Sequence, residues 1–135
     1  MTELWGVDDA AAWQAALDRY EAVIEAQGVA KLAELDRWYR EELPAAIAGR
    51  EPARVTHEEL VRLTEWKMAR GVWRARNLVL VKGNAPEEVE SRSAVALARI
   101  PDERAPIAEL AKLAGVGPAT ASARAMNSAC RAVFG

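Results

Sequence analysis

The sequence has a single cysteine, Cys130, and a single histidine, His57. A disulfide framework, a zinc finger and a His-Glu-x-x-His metalloprotease each need more of these residues, so all three are excluded. A Cys–His catalytic pair would require both singletons to meet across the fold. No apolar run approaches the ~20 residues of a membrane span. The start, Met1-Thr2-Glu3-Leu4, lacks the basic and then apolar regions of a signal peptide. The chain is therefore expected in the cytoplasm. A large excess of positive charge is also missing: 18 basic against 20 acidic residues give a formal charge of −2. A wholesale polyanion binder is far more basic, so any nucleic-acid role must rest on a local patch.

What is present fits one soluble globular domain: 135 residues, 51% apolar and 28% charged. That length buries a core but leaves no room for two catalytic domains. The charge is unevenly spread. Residues 1–60 carry 13 acidic and 6 basic side chains, whereas 61–135 carry 7 acidic and 12 basic ones. Within 61–82, Arg62, Lys67, Arg70, Arg74, Arg76 and Lys82 face only Glu65. Either one side of the molecule meets an anion, or these charges balance in three dimensions.

The apolar pattern is helical throughout. Trp13, Leu17, Tyr20 and Ile24 recur at three- and four-residue steps between Asp8-Asp9, a capping pair, and Gly28, a stop. Leu32, Leu35, Tyr39, Leu43 and Ile47 make a second stripe, in which Pro44 predicts a kink or a boundary. Gly49 to Pro52 reads as a linker. Thr56-His57-Glu58-Glu59 is a capping box that opens a helix to Arg70, with Gly71 as its stop. Residues 73–82 are expected helical, although Leu78-Val79-Leu80-Val81 alone would suit a strand. Pro86-Glu87-Glu88 starts a helix to about Ile100, Pro106 starts another, and Pro118 opens a last one carrying Ser122, Met126, Cys130 and Val133. The expectation is a single all-α domain of about seven helices, with an N-terminal helical hairpin over 8–48 and the remainder over 56–134. Trp13, Trp38, Trp66 and Trp73 are expected to pack in the core rather than stack on bases, with Trp5 docking the N-terminus. His57 is expected exposed, and Cys130 is expected to be a small core residue.

One stretch carries chemistry: Leu110-Ala111-Lys112-Leu113-Ala114-Gly115-Val116-Gly117-Pro118-Ala119-Thr120-Ala121-Ser122. A helix runs into Gly-Val-Gly and a new helix starts at once. The glycines permit a tight reversal, Val116 can plug between the helices, and the free amides at the new helix start can bind phosphate oxygens. This stretch resembles the helix-hairpin-helix element, a module that holds the DNA backbone, with Ala121 as its final small residue. Residues 50–123, through Glu65-Trp66-Lys67, Arg70-Gly71, Trp73-Arg74, Arg76-Asn77 and Asn84 to Val89, are similar to a group of helix-hairpin-helix proteins akin to base-excision DNA glycosylases.

The resemblance implies duplex DNA as partner and no cofactor or metal. It also implies two catalytic groups that this sequence does not match. The family's aspartate lies about twenty residues beyond the hairpin, whereas here no acidic residue follows Glu109. The lyase members' lysine falls at Ala119. Without them there is no carboxylate to stabilise an oxocarbenium-like transition state and no amine to form a Schiff base. The sequence beyond Ser122 leaves the family pattern, so the chain is expected to be either a shortened natural form or the product of a gene truncated by a frameshift, with no glycosylase catalysis.

Three readings follow. The first is a sequence-independent, non-catalytic DNA-binding domain of repair-like ancestry. Gly115, Val116 and Gly117 would hold a phosphate, helped by Thr120, Lys112 and Arg124, and Arg70, Arg74 and Arg76 would extend the positive surface. The second is a structural or protein-interaction domain, with a protein partner or self-association covering the missing C-terminal segment. The third is a residual enzyme using Asp36, Glu41 or Glu65.

Overall fold

Helix starts in this chain follow its capping residues. Asp9 accepts a hydrogen bond from the Ala11 amide and opens α1 (Ala10–Asp18). After a break at Arg19 the chain continues as α2 (Tyr20–Ala26), and Gly28, at φ +67°, turns it away. The stripe from Leu32 folds as α3 (Leu32–Arg37), a wide π turn over Trp38–Glu42, and α4 (Leu43–Ala48). Pro44 thus falls at the expected boundary, in the first turn of α4, although the chain stays helical on both sides. The Leu43 amide reaches back five residues to the Trp38 carbonyl, and this widened turn directly precedes the proline, which sits buried in the first turn of α4.

Thr56 and Glu59 form the full capping box at the start of α5 (His57–Arg70), each meeting the other's backbone amide. The run 75–82 is a helix, α6 (Ala75–Lys82), despite its β-branched residues. Two further helices, α7 (Pro86–Ala98) and α8 (Ala105–Leu110), each carry a proline in the first turn. Residues 118–123 are helical as well. The computed structural model describes residues 4–102 and 104–123, so the expectations for Arg124, Met126, Cys130 and Val133 lie outside the described residues.

Every regular element among the described residues is helical, and together they form an all-α bundle. Its core joins Leu35, Trp38, Leu43 and Ile47 to Leu60, Leu63 and Trp66 of α5, and then to Val81, Val89 and Leu110. None of the described helices is long and apolar enough to cross a membrane.

A buried carboxylate ties three of these elements. Asp36, only 1% exposed, accepts from Trp66 Nε1 at 3.1 Å, Tyr20 OH at 3.2 Å and Arg40 Nε at 2.8 Å. Burial pushes its pKa up, but those hydrogen bonds and the Arg40 charge outweigh that and hold it below the ordinary carboxylate value. Asp36 is thus an internal acceptor, occupied by three donors.

Two tryptophans depart from the expected core positions. Trp13 is exposed because α1 buries nothing: its Nε1 donates to the Val7 carbonyl at 2.8 Å, and its ring meets Trp5 edge-on at 6.0 Å. Trp73 lies between α5 and α6 and is 55% exposed. His57 is half-buried rather than exposed, with Nε2 at 3.1 Å from the Lys82 carbonyl.

Candidate nucleic-acid interface

The Gly-Val-Gly turn sits where α8, α6 and the helical residues 118–123 converge. Val116 is buried and its amide donates to the Leu113 carbonyl, while the Ala121 amide donates to the Gly117 carbonyl. Gly115 adopts φ +75°, and a Cβ there would lie 2.7 Å from Val81 Cγ2 and 2.9 Å from both the Asn77 carbonyl oxygen and the Val81 nitrogen. Two of those neighbours are backbone, so only glycine lets the turn lie against α6.

Asn84 fixes the same turn from the other side. Its Nδ2 donates to the Ala114 carbonyl and its Oδ1 accepts from the Ala114 amide, both at 2.9 Å. Sequence reasoning quoted Asn84 only as part of a likeness and missed this role. The available signal was an amide side chain just past Gly83, where helix ends need partners. Gly117 is different. It is not left-handed, a Cβ on it would meet nothing within 4 Å, and it faces open space. Its amide and those of Ala119 and Thr120 have no acceptor among the described residues.

The proposed contact residues fall into three groups. Arg70 is brought to the hairpin: a groove of about 300 Å³ is lined by Lys67, Arg70 and Gly71 on one side and by Ala119 and Ala123 on the other, with Trp66 at its base. The Arg70 guanidinium lies over the Trp66 ring, 5.0 Å from its centroid. Arg74 and Arg76 are exposed at the start of α6.

Lys112 and Thr120 face elsewhere. Lys112 Nζ pairs with Glu109 at 2.9 Å, so much of its charge is spent locally. The Thr120 side chain is buried, and its Oγ1 accepts from Lys67 Nζ at 3.1 Å. It is turned toward α5 rather than outward. Arg124 lies outside the described residues. Lys67, left out of the contact set by sequence reasoning, reaches the helical residues after the turn through Thr120. Its spacing of three from Arg70 was a readable sign of one face of α5.

Among the described residues, the nearby carboxylates pair elsewhere. Glu88 pairs with Arg92 at 2.9 Å and Glu90 with Arg54 at 3.3 Å. Among the described residues, Lys67, Arg70, Arg74, Arg76 and Lys82 have no carboxylate within 4.0 Å. A second depression, lined by Glu87, Glu88, Arg92 and Glu109, has the opposite character. Of the other two carboxylates weighed for chemistry, Glu41 is exposed on the π turn and Glu65 is half-buried on α5. Among the described residues no group of three or more His, Cys, Asp or Glu side chains is placed to hold a metal.

Comparison with family models, curated proteins and solved structures finds no match to this chain.

Proposed function

We propose that this chain is a non-catalytic, sequence-independent DNA-binding domain that holds a backbone phosphate beside the Gly-Val-Gly hairpin. The observation that carries this reading is the groove between α5 and residues 118–123, where Lys67 and Arg70 stand opposite Ala119 and have no carboxylate within 4.0 Å among the described residues. An anion entering there would meet cationic side chains and free helix-start amides together. Arg74 and Arg76 extend the positive field past the groove. Contacts of this kind do not read bases, so binding is non-specific, with a dissociation constant of about 10⁻⁴–10⁻⁶ M at physiological salt.

A second reading, a structural or protein-interaction domain that has the hairpin without nucleic acid, has its own support. The glycine requirement at Gly115 is met in full by packing against Val81 and the Asn77 carbonyl, and a packing role needs no phosphate.

Fluorescence anisotropy with labelled duplex DNA at two salt concentrations separates the two. Gly117→Ala and Arg70→Glu are the informative variants, since neither position is packed in the core. Salt-sensitive binding that both variants weaken supports the phosphate clamp. No binding at low salt, with the protein folded, leaves the interaction-domain reading.

A further inference from the structure

We propose that the loop between α5 and α6 is a stacking platform, and that the nucleic acid this surface prefers is single-stranded, with an unpaired base resting on Trp73. The proposal rests on the polyanion reading above and names its ligand class. Val72 is 70% exposed and Trp73 55% exposed, in a loop that runs from Gly71 to Arg74. Neither side chain belongs to the hydrophobic core of the described residues, and together they place an apolar surface between Arg70 and Arg74 in the chain.

The loop is nonetheless held in place. The Arg74 amide donates to Met68 Sδ at 3.2 Å, and Met68 is buried in the last turn of α5. Gly71 lines the groove together with Lys67 and Arg70, and Trp73 follows it two residues later in the chain. Beyond it lie Arg74 and Arg76, again without carboxylate partners among the described residues. A basic track leading onto an aromatic face suits a phosphodiester chain whose bases are free to stack. In an intact duplex the base faces are already covered, so the same surface would gain only the phosphate contacts. The track follows an open depression between α5 and residues 118–123, a course that a single phosphodiester strand can take.

The test uses a labelled oligothymidylate of about 12 nucleotides and a blunt duplex of the same length, titrated with wild type, Trp73→Ala, Trp73→Phe and Arg70→Glu. Trp73→Ala is expected to weaken single-strand binding about tenfold, the loss for one stacked base, and to leave duplex binding within about twofold. Trp73→Phe should recover most of the loss, because a ring remains. Duplex binding that falls with Arg70→Glu, while Trp73→Ala changes nothing on either ligand, overturns the stacking platform and leaves the backbone clamp standing. Binding to neither ligand overturns both. Trp73-dependent binding to phosphatidylserine vesicles, with none to the oligonucleotide, overturns the platform in favour of a membrane surface.

Discussion

The two ends of α5 are built to opposite rules. At its start, polar groups and charges are met from within the protein. Thr56 and Glu59 close the capping box, Arg50 grips Glu59 with both terminal nitrogens at 2.6 and 2.8 Å, and Ser93 accepts from the Val55 amide. At its end, Lys67 reaches only a hydroxyl, Arg70 only a ring, and Arg74 and Arg76 no carboxylate among the described residues. A chain that neutralises charge so fully 15–20 Å away, about the ten helical residues between Glu59 and Arg70, has not run short of acidic residues. The difference locates the surface that the proposed nucleic acid would cover.

Breaking the shared middle of α5 should have the largest effect. Asp36→Ala removes the acceptor for Trp66, Tyr20 and Arg40, two of whose donors lie in or at the edge of the core. Leaving them unpaired should cost about 3–5 kcal/mol in a urea titration followed by circular dichroism. A loss under about 1 kcal/mol would mean that water replaces the carboxylate and that the middle is less dry than the packing implies.

Gly115→Ala comes next. The methyl must displace Val81 or two backbone atoms of α6 and also hold φ at +75°, so about 3 kcal/mol of stability should be lost. Gly117→Ala, with nothing within 4 Å of its new methyl, should stay within about 0.5 kcal/mol of wild type. The pair divides the hairpin into a glycine required for folding and one that only a ligand would require.

At the closed end, Glu59→Gln should cost about 2 kcal/mol, since it weakens both bonds to Arg50 and the capping box together. Its signature lies in pH dependence. Burial raises the Glu59 pKa, but Arg50 and the Thr56 backbone amide outweigh that and leave it below its ordinary value of 4.5, and Asp36 is likewise below 3.8. A depressed folded pKa contributes stability that is complete above the ordinary value and lost as pH falls through the folded one. Wild type should therefore lose stability below about pH 4.5, and Glu59→Gln should lose less over the same range.

These contrasts were unevenly legible in the sequence. The capping box and the proline starts depend on neighbours two to four residues apart, and the structure has them where the pattern puts them. The helix passing Pro44 was not legible, because a π turn is set by packing on both sides of the chain. Asp36 reads in sequence as a surface carboxylate, and its burial depends on donors 16 and 30 residues away. Trp13 and Trp73 sit on or near apolar periodicities, but periodicity says which face a residue shares, not whether another element arrives to cover it. The groove was half visible. Lys67 and Arg70 share a face of α5 by spacing alone, whereas their meeting with Ala119 and Ala123 needed the tertiary fold.

The smallest stability effect should come from the open end, and its sign is informative. Arg74 and Arg76 are exposed, lie near other cations and have no carboxylate within 4.0 Å among the described residues. Replacing both with glutamine removes mutual repulsion and no ion pair. The melting midpoint at low salt should hold or rise slightly, within about 0.5 kcal/mol. The same change at the closed end, Arg50→Gln, should destabilise. Added salt should narrow the gap between Arg74→Gln/Arg76→Gln and wild type, since the repulsion is solvent-exposed and screened within about 10 Å at 0.1 M. If the double variant instead unfolds more easily, these arginines serve a contact inside the protein. The contrast between the two ends would then reflect packing, and the nucleic-acid reading would lose its electrostatic basis.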